Sequence, residues 1–459
     1  MNLIDDYMKI VTKYTDAPKV FLKASAYHIL STTLGPFFKI SASKVDRPNT
    51  WFILSSIPGR TRRSTVIEYN SSVILNAYTT YYSRIDSYDS KRSEEKYMNS
   101  IIETGTSQGI CDKLLHGINN DVHVFNICSH EYGDVLKRIC FSSSRIATLL
   151  SRLYGGEPFQ EDLADGGRTI PSGLYVTMFC GMQRPKMYLN EEMSGQGLLR
   201  RMTIIYVKPE DLDMSRWKLP FQDDIDKLDD ELKNYSNNLS NMMVEYHHQL
   251  GNTRNGMENE KAEKSFLEIE LPKKIWSEIG EIARRIDGAI ASDSSHFNIY
   301  QQNKWETLTK LTVLEALADC APKNKEKIIV DSHQFRRAQT FMETIQKHTK
   351  EMMDELAEQK SNVKESQNVS DMNQVYEKIK RAGPEGIPTT KLLTSTGIKS
   401  DVMKGIIKNL IKLGAIRREI SVTALGGRPL NMFYATGKSI EIKLKENQQE
   451  NNNENSSAC

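Results

Sequence analysis

Four short apolar runs punctuate the first half of the chain: 51–54 (WFIL), 122–128 (VHVFNIC), 174–180 (LYVTMFC) and 202–207 (MTIIYV). Each is too short for a helix and too continuous for a strand with one wet face. Each therefore reads as a strand buried on both sides. Between them the apolar spacing turns helical. Val66, Ile67, Val73, Ile74, Ala77, Tyr78, Tyr81 and Ile85 share one face, and shorter helices are expected at 109–117 and 144–154. Residues 86–100 read as a charged surface connection. Ahead of the first strand, residues 1–45 are expected to be helical, with Asp16-Ala17-Pro18 opening a helix and Gly35-Pro36 closing it. Strands alternating with helices over 46–213 predict an α/β layered sheet, parallel at its centre.

From residue 214 the pattern changes. Helical spacing at 222–248, 272–287, 300–319 and 332–358 predicts a helical bundle over 214–357, broken by a polar insertion at 251–265 and a short strand at 266–271. The stretch 358–370 has no apolar periodicity and reads as a linker. Residues 371–436 form a separate small domain. The Asn- and Glu-rich segment 437–459 is a low-complexity tail, expected to be disordered.

Composition narrows the class. The 459 residues are 39% hydrophobic and 26% charged, values of a soluble globular protein, and the length suits two or three domains. No stretch approaches the roughly 20 apolar residues of a membrane span, and the N-terminus lacks the apolar core of a secretory signal. The six cysteines show no CxxC pair, so they read as reduced thiols of a cytoplasmic protein. Net charge is only +2, so attraction to nucleic acid must come from local clustering.

Chemistry concentrates where the first strand ends. In SIPGRTRRST (56–65), a Pro58-Gly59 turn leads through Arg60, Thr61, Arg62 and Arg63 to Ser64 and Thr65 at the start of a helix. A phosphate loop has this order, because inward-turned backbone N–H groups at a helix N-terminus cradle an anion. Arg63, or Arg62, would be the cation, and Ser64 or Thr65 the magnesium-binding hydroxyl. The lysine and final glycine of the usual loop are absent, and a basic turn that binds nucleic acid is the competing reading. After the second run, Glu131 is positioned to polarise an attacking water and to share the metal with Ser64, although His130 stands where an aspartate is usual. Gln183, after the third run, is a candidate to sense the γ-phosphate or to position water. Arg200 or Arg201, before the fourth, is a candidate to stabilise phosphoryl charge across a subunit interface.

The blocks RPNTWFILSSIPGRTRRST, TSQGICDKLL, HEYGDVL, LYGGEPF, CGMQRP and SGQGLLRRM resemble, in order, those of an uncharacterised P-loop family found in plasmid, phage and integrated-element replication proteins. The resemblance spans about residues 15–358. It implies a RecA/AAA-like core followed by a helical bundle, with ATP and Mg²⁺ as ligands. It assigns phosphate and metal contacts to Arg63, Ser64 and Thr65, catalysis to Glu131, sensing to Gln183, and the arginine role to Arg200 or Arg201.

The small domain has a different chemistry. Val375, Ile379 and Ile387 mark a first helix and its turn, and TTKLLTSTG a second helix. Ser400 caps a third, with Val402, Ile406, Ile407, Leu410 and Leu413 on one face. Two strands follow, in an order that resembles a winged helix-turn-helix. Eleven Lys and Arg against five Asp and Glu give this domain a local charge of about +6. Lys399, Lys404 and Lys408 would face DNA, with Arg428 at a wing tip; a winged helix used for protein contact is the alternative. Together these features lead to the expectation of a DNA-associated, helicase-like P-loop ATPase of a mobile element's replication system, acting as a homo-oligomer. The rival is a winged-helix DNA binder whose P-loop fold has lost catalysis.

Overall fold

A computed structural model describes residues 2–41, 47–56, 61–103, 106–133, 135–136, 145–161, 167–183, 197–212, 222–255, 266–293, 295–319, 327–421 and 430–437. Two compact units divide the chain, Met1–Asp354 and Glu355–Cys459.

In the first unit, helices α1 (Leu3–Tyr14) and α2 (Lys19–Thr33) lead into strands β1 (Phe38–Ile40) and β2 (Trp51–Ser56). There follow α3 (Arg63–Ile85), α4 (Ser90–Met98), β3 (Ile101–Ile102), α5 (Ser107–Asn119), β4 (Val124–Ser129) and α6 (Ile146–Gly155). Next come β5 (Phe159–Glu161), β6 (Arg168–Ile170), β7 (Tyr175–Gln183), α7 (Leu198–Arg201) and β8 (Thr203–Val207). The remaining elements are α8 (Gln222–Asn255), β9 (Leu267–Glu270), α9 (Lys273–Ser292), α10 (His296–Gln301), α11 (Lys304–Asp319), β10 (Lys327–Ile329) and α12 (Ser332–Arg381).

The four apolar runs become four of the five strands of a parallel sheet, ordered β3-β4-β7-β2-β8. All six residues of β2 are buried, which is why its sequence shows no alternation. Phe52 and Leu54 join Phe179 of β7 and Ile205 of β8 in a core shared with Phe21 of α2 and Val66 and Ile67 of α3. On Trp51 the ring meets Tyr154 of α6 edge-on, centroids 5.2 Å apart, while Nε1 donates to the Val176 carbonyl at 3.0 Å. From β2 the chain crosses to β3 at one edge, fills back through β4 and β7, and ends in β8 on the other side. Open α/β sheets bind ligands outside the carboxyl ends of their strands where the order reverses in this way, which here is at the end of β2.

Several elements differ from the sequence expectation. The charged connection 86–100 contains α4, whose first turn is capped by Asp89 accepting from the Arg92 N–H at 2.8 Å. Only Ser93 and Tyr97 of α4 are buried, and Tyr97 stacks on Tyr78 of α3; two positions per helix leave little apolar periodicity to read. A second parallel sheet, β1-β9-β10, joins segments more than 200 residues apart, a pairing that no local pattern announces. The backbone of 358–370, expected as linker, lies within α12. The segment 300–319 is split between α10 and α11. Most of the insertion at 251–265 and the tail from 438 lie outside the described residues.

The second unit comprises the end of α12, β11 (Ile387–Pro388), α13 (Thr389–Thr396), α14 (Ser400–Lys412), β12 (Ile416–Ser421) and β13 (Leu430–Ala435). Its strands form an antiparallel sheet ordered β11-β13-β12. Gly397 ends α13 in the left-handed region, φ 70°, where an L side chain would be strained. Val375, Ile379, Leu392, Met403, Ile406, Ile407, Leu410 and Phe433 make the core. Two expectations for α14 are corrected. Met403, and not Val402 or Leu413, completes the buried face, and Lys399, not Ser400, is the N-cap residue. Among the described residues, no helix of the protein is long and apolar enough to cross a membrane.

Candidate functional site

The carboxyl ends of β2, β4 and β7 bring three of the expected residues together. Arg63 is the first residue of α3, and its Nη2 donates to Glu131 Oε2 at 3.3 Å. Glu131 follows β4, and its other oxygen, Oε1, accepts the backbone N–H of Gln183, the last residue of β7, at 3.3 Å. One carboxylate thus ties two neighbouring strand ends to the helix start.

Arg63 reaches Glu131 because β7 has a glycine beneath its path. A Cβ at Gly181 would lie 2.5 Å from the His130 carbonyl oxygen, 2.8 Å from Arg63 Nε and 3.0 Å from Ile67 Cδ1. Any side chain there would expel the guanidinium. Only 11% of the Arg63 side chain is exposed, and Nε and Nη1 are buried without hydrogen-bond partners. Burial pulls the Arg63 pKa down from its usual value, and Glu131 opposes that shift. The guanidinium stays charged, since an arginine titrates far above neutrality. A desolvated cation with two unmatched donors is a strong demand for an anion.

The loop itself closes tightly at its base. Ser56, ending β2, and Thr61 share a short hydroxyl–hydroxyl hydrogen bond, so the chain returns at Thr61 to the point it left. Arg62 then takes a left-handed conformation, φ 50° and ψ 27°, as the N-cap residue of α3. That geometry costs a non-glycine residue roughly 1–2 kcal/mol. It is held by Asp16, which receives Arg62 Nε at 3.0 Å from the connection between α1 and α2. Arg62 makes no side-chain cap bond to α3, and among the described residues the first N–H groups and the positive end of the helix dipole are open to another partner. Ser64 is exposed on that first turn and Thr65 is half-buried. Pro58, Gly59 and Arg60 lie outside the described residues.

The remaining expected residues lie elsewhere. Arg200 and Arg201 belong to α7, before β8, at the amino end of the parallel sheet and therefore at the edge opposite Arg63. Arg200 Nη1 donates to the Gln302 side-chain oxygen, and Arg201 Nη1 to the Gly197 carbonyl at 3.1 Å. Within one chain neither arginine joins the cluster. Around them sits a set of buried cations with no sequence signature. Lys304 donates to the carbonyls of Arg200 and Met202, and Lys310 to Asn49 Oδ1 at 2.7 Å. Burial lowers the pKa of Lys304 to about 7, and it lowers that of Lys310 in the same direction.

In the second unit Lys399, Lys404 and Lys408 are all exposed, with Arg417 and Arg418 exposed on β12. Lys404 and Lys408 stand one helical turn apart. Arg428 lies outside the described residues. Ile411, Leu413, Ile420 and Leu430 are also exposed.

Two residues of the cluster escaped the sequence reading. Gly181 sits inside an apolar run, where a glycine signals close approach without saying of what. Asp16 looked like a helix start, and nothing local linked it to Arg62. Taken together, fold and cluster define a mixed α/β protein with a parallel sheet, whose charged residues meet at the carboxyl ends of β2, β4 and β7. No protein-family model matches the sequence, and a search of curated proteins found no match.

Proposed function

We propose that this protein is a DNA-associated P-loop ATPase, in which nucleotide binds at the start of α3 and the basic second unit engages DNA. The observation that carries this reading is the buried Arg63 guanidinium, with two unmatched donors, at the start of the helix that follows β2. The strand order supports it: the loop-bearing strand lies between the last two strands of the sheet, an arrangement that resembles RecA-like ATPase cores. The hydroxyl pair that closes the loop base adds to it. The helices, turn and antiparallel sheet of the second unit resemble a winged helix, and its exposed lysines suit phosphate.

The fit to a metal-bound nucleotide is good for the phosphates and partial for magnesium. Arg63 and the α3 N–H groups would hold phosphate oxygens. The Ser64 hydroxyl is accessible, and Mg²⁺ takes such oxygen ligands beside phosphate and water. Bound Mg²⁺ would neutralise phosphate charge. Glu131 is the group placed to accept a proton from water, once its contact with Arg63 is exchanged for phosphate. Arg200 or Arg201 could serve only a neighbouring subunit's site, which makes the reading one of a homo-oligomer. A second reading, nucleotide binding without turnover, is favoured by Glu131 itself, whose two oxygens are both engaged.

Measuring ATP binding and hydrolysis with and without DNA tests the proposal. We expect DNA-stimulated hydrolysis, abolished by Glu131→Gln with binding retained, and nucleotide affinity lowered about tenfold or more by Arg63→Ala. Binding without hydrolysis selects the second reading. Absence of nucleotide binding would overturn both.

A further inference from the structure

Away from the Arg63 cluster, three ligand-bearing side chains converge where the chain leaves β8. Asp211 closes the short 3₁₀ turn Pro209–Asp211, while His348 and Glu351 project from α12 one turn apart. One ligand atom from each lies within 4.8 Å of the other two. His348 Nδ1 stands 3.9 Å from Glu351 Oε2.

The imidazole is the informative member. Its Nδ1 is shielded from solvent and has no hydrogen-bond partner, although two carboxylates are close. The backbone of Tyr206 in β8 also lies against the ring. A backbone group beside one ring nitrogen can orient the imidazole and leave the other nitrogen to a metal. Metal-bound histidines are oriented in this way. The neighbouring Thr349 hydroxyl donates to the Ile204 carbonyl at 2.9 Å, which ties this turn of α12 to β8.

The charges nearby agree. Lys347 approaches only the far oxygen of Glu351, at 3.9 Å, and its side chain is mostly exposed. Asp211 Oδ2 accepts a long bond from the Lys208 N–H at 3.4 Å, leaving Oδ1 for another partner. Two carboxylates bring negative charge to an imidazole whose Nδ1 makes no hydrogen bond. Magnesium and calcium prefer oxygen alone, whereas one nitrogen with two oxygens suits a borderline divalent ion. Ligands about 2.1 Å from such an ion stand roughly 3–4 Å from each other, and modest carboxylate rotations close that gap.

We propose that Asp211, His348 and Glu351 bind a divalent transition metal of the zinc class, which fastens α12 to the end of β8. The site is distinct from the magnesium–nucleotide site and does not depend on it.

The test uses the full chain, stripped with chelator, dialysed and titrated with Co²⁺ in the absence of nucleotide. We expect one equivalent of Co²⁺ with a visible d–d band and no thiolate charge-transfer band, displaced by Zn²⁺, and a thermal midpoint raised by Zn²⁺. Asp211→Asn and His348→Gln should each weaken Co²⁺ binding about tenfold or more. Should His348→Gln fail to fold, the exposed turn residue Asp211 decides the matter alone. Failure to saturate at one equivalent, a thiolate band, or affinity unchanged by Asp211→Asn would overturn the proposal.

Discussion

At the scale of single residues, the cluster at the sheet edge depends as much on a missing side chain as on those present. Arg63 crosses β7 only because Gly181 has no Cβ, and the same absence lets the His130 carbonyl approach. Gly181→Ala should therefore lower stability by about 1–3 kcal/mol, the usual cost of overpacking. Part of that cost is the encounter with Arg63 and part the encounter with backbone. In a double-mutant cycle read by denaturant unfolding, Arg63→Ala should relieve the first part only. Simple additivity of the two substitutions would show that the guanidinium does not lie over Gly181. Arg63 and Glu131 could be named from sequence because their types and order fit a phosphate loop. Gly181 and Asp16 could not, since each matters through a partner at least 46 residues away.

Among elements, α11 shows how the bundle and the sheet hold each other. Its first residue, Lys304, reaches the amino end of β8, where the carbonyls of Arg200 and Met202 accept from its amine and the Tyr300 ring lies 3.8 Å away. These contacts favour the charged amine, and complete burial disfavours it. Burial wins, bringing the pKa to about 7 from the ordinary lysine value of 10.5. Between those two values the unfolded chain keeps the proton and the folded chain releases it. Stability should then rise with pH across that window, by up to about 1.4 kcal/mol per pH unit from this group. Below the window the cost of burying the charge is fully present. Lys304→Met, similar in length and uncharged, should flatten the rise; denaturant midpoints at pH 7 and pH 9 for both proteins check it. A slope unchanged by the substitution would mean that Lys304 keeps its proton throughout. Helices such as α3 were legible because a long buried face repeats every turn. Helix α4 was not, because it buries only Ser93 and Tyr97 among charged neighbours.

Over the whole molecule, charge is divided unevenly. Net charge is +2, yet the segment 371–436 carries eleven basic residues against five acidic ones, and the lysines of α14 and its cap are exposed. If that face meets phosphate, affinity should fall steeply with salt, and Lys404→Ala and Lys408→Ala should each reduce the slope of log K against log salt by about 1. Binding to duplex and single-stranded DNA across a salt series measures this. Loss of affinity with no change in slope would point instead to a protein-contact face, to which the exposed Ile411, Leu413, Ile420 and Leu430 would belong.

The sequence by itself determined the four central strands, the helix that follows the arginine-rich loop, and the basic small domain, since each is written in local periodicity and composition. Tertiary structure decided the rest. Strand order put β2 between β7 and β8, which gathered Arg63, Glu131 and Gln183 at one edge and sent Arg200 and Arg201 to the other. It also paired β1 with β9 and β10, and set Asp211 beside His348 and Glu351. The physical reason is that burial pattern records whether a segment is covered, while the identity of what covers it is settled only when distant segments compete to pack together.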